Sequence, residues 1–305
     1  MDHTVKRRER WLGIFTLAGF LSVWAGFFVV LNLGIVVVWW ISQAGLTAPD
    51  LEQFAAMSSA PVPGWLIAGS SVVQFGGMLV FTLVGAWLVT RVRRARLGGS
   101  TGAPNTLSAQ LANRPAAAIG WLAALGGGLT IGWFPAWLSA QIKTWFPMLD
   151  LGAVASIGSV LHDGDVATRM TLILIITIAA PICEELLFRG WLWSALERWM
   201  SPAGVILTTS VLFAAFHLDP AQAIPLIVTG CFFGWLRYTT NAVGPAIAAH
   251  MTNNTLAVYL MLQPSPPAMD NAFLVTSIVV TIAMAMGVYR AVLDRHLIRI
   301  PKAVY

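Results

Sequence analysis

Residues 171–193 read TLILIITIAAPICEELLFRGWLW. A helix needs about 20 mostly apolar residues to cross a hydrocarbon core, so the stretch reads as a membrane span. Yet Glu184, Glu185 and Arg189 lie inside it. A charged residue at the centre of a span costs about 3 kcal/mol on insertion scales, and three together mark a functional position rather than a packing one.

The rest of the chain agrees with a membrane setting. Of 305 residues, 57% are hydrophobic and only 10% charged, and the mean hydropathy is +0.75. Soluble domains carry roughly 25% charged residues. The expected fold is all-α, a single integral membrane domain over 1–305. Eight apolar segments are expected at about 11–40, 65–89, 115–138, 170–193, 203–218, 221–236, 243–262 and 272–292. The basic N-terminus and its long apolar run read as an uncleaved first span.

Basic residues gather in cytoplasmic loops, which tests this count. With the N-terminus inside, 16 of the 18 Lys and Arg residues fall on the inner side, leaving Lys143 and Arg169 outside. Both termini are therefore expected in the cytoplasm. The formal charge of +5 arises from these clusters, and no nucleic-acid partner is expected. Residues 94–115, rich in Gly, Ser and Asn, read as a cytoplasmic linker. An interfacial amphipathic helix is expected between Lys143 and Leu161. Gly126 to Gly128 fit a close helix contact. Arg237 reads as an inner anchor, with binding of a substrate's carboxylate as the alternative, and Asp163 with Asp165 as a polar turn rather than a metal site.

Two further polar groups stand in apolar surroundings, His217 in LFAAFHLDP and His250 with Asn253 and Asn254 in AAHMTNNTL. Four-residue spacing puts Glu185 with Arg189, Phe213 with His217, and His250 with Asn254 on shared helix faces. Glu184 is turned about 100° from Glu185. The fourth, fifth and seventh segments are thus expected to form a polar cavity. At about 1.5 Å per residue, His217 falls past the midplane and His250 nearer the inner face.

A glutamate and a histidine can take a proton from water, and a second histidine with an asparagine can donate to a developing oxyanion. Neither Cys183 nor Cys231 has the setting of a nucleophile, and HExxH is absent. The same ionisable groups also suit a proton relay in a transporter, or a non-catalytic membrane scaffold.

In order, the chain carries EExxxR at 184–189, FxxxH at 213–217 and HxxxN at 250–254. This set resembles the CAAX proteases and bacteriocin-processing enzymes, the membrane family that includes the type II CAAX prenyl endopeptidases. The resemblance covers about 169–262, the expected family core. It implies an intramembrane endopeptidase acting on membrane-associated peptides or proteins. It further implies that Glu184 and His217 activate water, His250 and Asn254 stabilise the oxyanion, and Glu185, Arg189 and Phe213 support the site. The family has been described both as metal-independent glutamate peptidases and as metalloproteases. Glu184, His217 and His250 are the candidate ligands should Zn2+ or another divalent metal be needed. Fifteen arginines against three lysines point to a bacterial source, for which prenyl-CAAX cleavage is not the expected reaction.

Overall fold

The computed structural model describes residues 3–44, 63–97, 106–149, 153–263, 274–283, 286, 287 and 290. All regular structure among these is helical. The helices are α1 (His3–Ala44), α2 (Gly64–Leu97), α3 (Ala118–Ile131), α4 (Trp133–Trp145) and α5 (Ala153–Asp163). The second half follows as α6 (Val166–Leu196), α7 (Pro202–Phe216), α8 (Ala223–Thr240), α9 (Gly244–Met261) and α10 (Leu274–Ala283).

The first seven expected apolar segments fall largely on helix, and the described part of the eighth is helical. Among the described residues, three helices are long and apolar enough to cross a membrane: α2 over Gly64–Val92, α3 with α4 over Ala118–Trp145, and α6 over its full length. Gly132 between α3 and α4 keeps right-handed helical angles (φ −66°, ψ −23°), so the chain runs on without a break. By contrast α7 has 15 residues, about 22 Å of helix against a core of about 30 Å. The protein is an all-α membrane protein. Residues 272, 273 and most of 284–292 in the eighth expected segment lie outside the described residues.

Helix ends follow local chemistry. The Asp165 carboxylate accepts from Thr168 N–H at 3.0 Å and starts α6. The Ser201 hydroxyl accepts from Gly204 N–H at 3.2 Å ahead of Pro202, the first residue of α7. Such side chains satisfy donors that the first turn cannot pair. Asn241 ends α8 in the left-handed conformation, φ 53°, a backbone that asparagine tolerates at helix C-termini. The amphipathic helix expected between Lys143 and Leu161 overlaps α5, which starts at Ala153.

Packing draws α6 into the middle. Phe20 of α1, Phe188 and Trp191 of α6 and Phe213 of α7 form one apolar cluster. The Phe20 ring stacks on Phe216 at 5.2 Å and meets Trp191 edge-on at 6.2 Å. A second cluster joins α3, α8 and α9 through Ala124, Phe233 and Ala249. There the expected glycine contact forms. A Cβ on Gly127 would stand 2.1 Å from the Phe232 ring, and one on Gly128 2.5 Å from the Ala249 carbonyl oxygen. Only a residue without a side chain lets α3 lie this close to α9.

The expected cytoplasmic linker needs correction over its second half. Residues 98–105 lie outside the described residues, but Gln110, Leu111 and Ala112 are buried. Ala112 has φ 52°, and its carbonyl accepts from Val243 N–H at 3.0 Å. The Leu111 backbone lies against Gly190, where a Cβ would stand 3.1 Å from the Leu111 oxygen. A glycine on α6 thus admits a segment whose own composition reads as solvated.

Candidate active site

Helix α6 is not a regular α-helix. Two π-helical stretches, Ile175–Ala179 and Leu186–Leu192, flank the α-helical turn Ala180–Glu185. Such bulges insert one extra residue and are frequent at functional sites. Proline explains the first. Pro181 has no N–H and would clash with the carbonyl four residues back in a regular helix. In the observed register Ala180 N–H donates five back to Ile175 O, so Ile176 O is passed over. Pro181, next in that register, has nothing to offer it. The Asn254 amide nitrogen of α9 donates to Ile176 O at 2.9 Å instead.

Between the bulges, Glu185 is fully buried. Its Oε1 accepts from Arg189 Nη1 and faces His250 Nδ1, both at 3.0 Å. Arg189 is fully buried too, and its Nη2 donates to Gly230 O at 2.7 Å. Gly230 leaves room for this approach, since a Cβ would stand 3.1 Å from Nη2 and 3.0 Å from Ser210 Cβ, a tight fit at both. The guanidinium also lies over the Phe213 ring at 5.0 Å. Breaking such a buried, hydrogen-bonded pair strands a charge, so the cluster fixes how α6, α8 and α9 meet.

The Arg189-paired oxygen of Glu185 is an acceptor, so His250 Nδ1 carries the hydrogen in this contact. That leaves His250 Nε2 facing Glu184 Oε2 at 3.7 Å. The imidazole is clasped between rings, stacked on Phe233 at 4.8 Å and edge-on to Phe213 at 5.6 Å. One histidine thus stands between two adjacent carboxylates, one orienting it and the other at its free edge.

His217 stands elsewhere. It closes α7, is exposed, and its Nδ1 lies 2.9 Å from Phe213 O. A carbonyl can only accept, so Nδ1 donates and Nε2 keeps its lone pair. The His217 ring meets Phe213 edge-on at 4.9 Å, so Phe213 contacts both histidines. The two ring distances together set an upper limit on the separation of the two imidazoles.

The structure therefore brings Glu184, Glu185, Arg189, His250 and Phe213 together, with His217 across the Phe213 ring. Asn254 is tied to α6 through Ile176. The Glu185–His250 contact, 65 residues apart in sequence, escaped the sequence reading because it joins faces of two helices whose rotation spacing does not specify. Gly230 and Phe233 were missed as site neighbours, and Arg237 was read as an inner anchor or an aid to a substrate's carboxylate. Arg237 had one signal, a charge on the last turn of an apolar helix. As ligands, Glu184 and His250 approach one another, but among the described residues no three His, Cys, Asp or Glu side chains converge closely enough to hold a metal ion. A catalytic zinc takes three protein donors and a water, and as placed Glu184, His217 and His250 do not converge as such a set.

Comparison with known proteins places this region. Residues 166–256 match a family model described as type II CAAX prenyl endopeptidase Rce1-like, a span holding all three motifs. The Bacillus subtilis (strain 168) protein named "Putative membrane peptidase YdiL" is 31% identical over 101 residues. That alignment takes in 33% of this chain and 41% of the relative's length, so the chain spans about two fifths of the curated relative it matches. No solved structure matches. The likeness read from the three motifs is thus matched at the level of a family model.

Proposed function

We propose that the protein is an intramembrane endopeptidase that hydrolyses peptide bonds of membrane-associated peptides or proteins. The observation that carries this reading is the placement of His250, held at Nδ1 by Glu185 and facing Glu184 through Nε2. A carboxylate that fixes the tautomer and direction of an imidazole is a recurrent device of acid–base sites.

In the proposed reaction Glu184 and His217 take the proton of an attacking water. What supports His217 in this part is its Nδ1–H donated to Phe213 O, which leaves Nε2 as an acceptor for water. His250 and Asn254 donate to the oxyanion of the tetrahedral intermediate. In support, His250 Nε2 lies at the free edge of the ring beside Glu184, and the Asn254 amide uses one of its two hydrogens on Ile176. The water oxygen bonds to the carbonyl carbon, the C–N bond breaks, and the proton passes to the leaving amine. Glu185 and Arg189 hold the donors in place. A divalent metal would have to draw Glu184, His250 and a third donor together, and no step above is routed through one.

The chain is further proposed to lie in the cell membrane with both termini cytoplasmic. The test is purified protein in liposomes challenged with a library of quenched peptides, with and without chelator. Cleavage that disappears in His217→Ala supports the endopeptidase. Proton-coupled uptake without cleavage, lost in the same variant, would replace it with a transporter. Binding of partners with neither activity would leave a scaffold.

A further inference from the structure

Arg237 has no part in the chemistry above, yet it is one of the most enclosed charges in the chain, 2% exposed. Its surroundings are specific. Nε donates to the Arg189 carbonyl oxygen at 2.9 Å. Nη1 donates to Asn241 Oδ1 at 3.3 Å, and Nη2 lies 3.8 Å from Glu197 Oε2. The guanidinium stands 5.2 Å over the Trp193 ring, whose Nε1 donates to Glu197.

The Arg189 carbonyl needs that donor because of the second π stretch. In a regular helix Trp193 N–H would donate to Arg189 O, four residues back. Here it donates to Phe188 O and Gly190 O, so Arg189 O loses its regular α-helical donor. This repeats the arrangement at the first bulge, where Ile176 O is passed over and Asn254 takes it. Each bulge around the two glutamates therefore leaves one carbonyl without its regular α-helical donor, and a side chain from another helix donates to it. An unpaired buried carbonyl costs about as much as a lost hydrogen bond, so without Arg237 the stretch is drawn back to regular helix. A regular helix also sets residues four apart on one face, but losing the extra residue would change the angle at which Arg189 meets Glu185 Oε1 and Gly230 O together.

We infer that Arg237 is a positioning residue: by capping Arg189 O it holds the π register that points the Arg189 side chain at Glu185, and through Glu185 it orients His250. The inference rests on the endopeptidase reading for its effect on rate, but not for its effect on His250.

The test compares two substitutions in the full-length protein. In Arg237→Gln the amide nitrogen replaces Nε, so the donor stays and the charge goes. In Arg237→Lys the charge stays, but the nitrogen moves to the place of the guanidinium carbon and the donor at Nε is lost. The expected result is that Arg237→Lys lowers kcat on the order of 10- to 100-fold, as displacements of about 1 Å do. KM should stay within about twofold, and Arg237→Gln should keep more activity than Arg237→Lys. The His250 Nδ1–H proton resonance in micelles, identified by its loss in Glu185→Gln, should shift in Arg237→Lys and hold in Glu197→Gln. The reverse order of the two Arg237 variants, the outcome for a charge anchor, would overturn the inference. So would an unshifted His250 resonance in folded Arg237→Lys. Should the wild-type protein cleave nothing, the endopeptidase reading fails, while the resonance still decides the role of Arg237. Should Arg237→Lys not fold, Arg237→Gln alone decides, since a shifted resonance there contradicts the capping role.

Discussion

Replacing Arg189 by methionine removes the guanidinium while keeping an apolar stem of similar reach. Glu185 would then remain fully buried with His250 as its one partner, because its Oε2 already lacks a hydrogen bond. Gly230 O would lose its 2.7 Å donor. Removing one partner of a buried pair costs about 3–5 kcal/mol. Hydrogen bonds in membrane helices average only about 0.6 kcal/mol, because the unfolded chain finds other partners in the bilayer. The lower end therefore applies, and Arg189→Met should destabilise by about 3 kcal/mol. Replacing both partners by apolar residues leaves no stranded charge, so Glu185→Leu with Arg189→Met should recover at least about 2 kcal/mol of the sum of the single effects. Reversible unfolding in mixed micelles, followed by helicity, measures all four corners of the cycle. A single Arg189→Met effect below about 1 kcal/mol, or strict additivity in the double variant, would refute the buried-pair account.

Three further outcomes follow from particular contacts. Gly128→Val places side-chain atoms where Cβ alone would come within 2.5 Å of Ala249 O, and should lower stability by about 1–3 kcal/mol in the same assay. Asn254→Leu should cost about 1–3 kcal/mol by leaving Ile176 O buried without a donor, in addition to any loss of activity. Asp165 is exposed, and the Thr168 hydroxyl and backbone N–H hold its carboxyl below the ordinary 3.8. A carboxyl lowered in the folded state contributes stability above its unfolded value and loses it as pH falls through the folded one. The unfolding midpoint should therefore fall on acidification below 3.8 in wild type, and fall less in Asp165→Asn, which caps the helix without titrating.

Much of the fold was legible because burial in lipid demands long apolar helices, and three of the expected segments lie on helices long and apolar enough to span, among the described residues. The bulges in α6 were not, since hydropathy windows assume one period throughout. Pro181 was the local sign of the first, and the second has no comparable mark. The buried turn at 107–112 was illegible for another reason. Leu111 and Ala112 are enclosed by Gly190 and Val243, far along the chain, while their neighbours have loop composition. For the site, four-residue spacing found Glu185 with Arg189 and Phe213 with His217. It could not rank the cross-helix pairs, and so His250 was matched with Asn254 rather than with Glu185. Arg237 read as an anchor because a basic residue at a cytoplasmic helix end usually is one. Its burial depends on a carbonyl freed by a bulge in another helix.

The central claim is that a carboxylate at position 184 drives peptide hydrolysis by water within the membrane domain. Its most direct test is the cleavage rate of a quenched peptide by wild type and Glu184→Gln in matched liposomes, with unfolding curves taken on both. Glutamine keeps the shape and cannot take a proton, so kcat/KM should fall by at least about a thousandfold, within the range for removing a principal catalytic group, with no loss of folded protein. A folded Glu184→Gln protein that cleaves within about tenfold of wild type would contradict it.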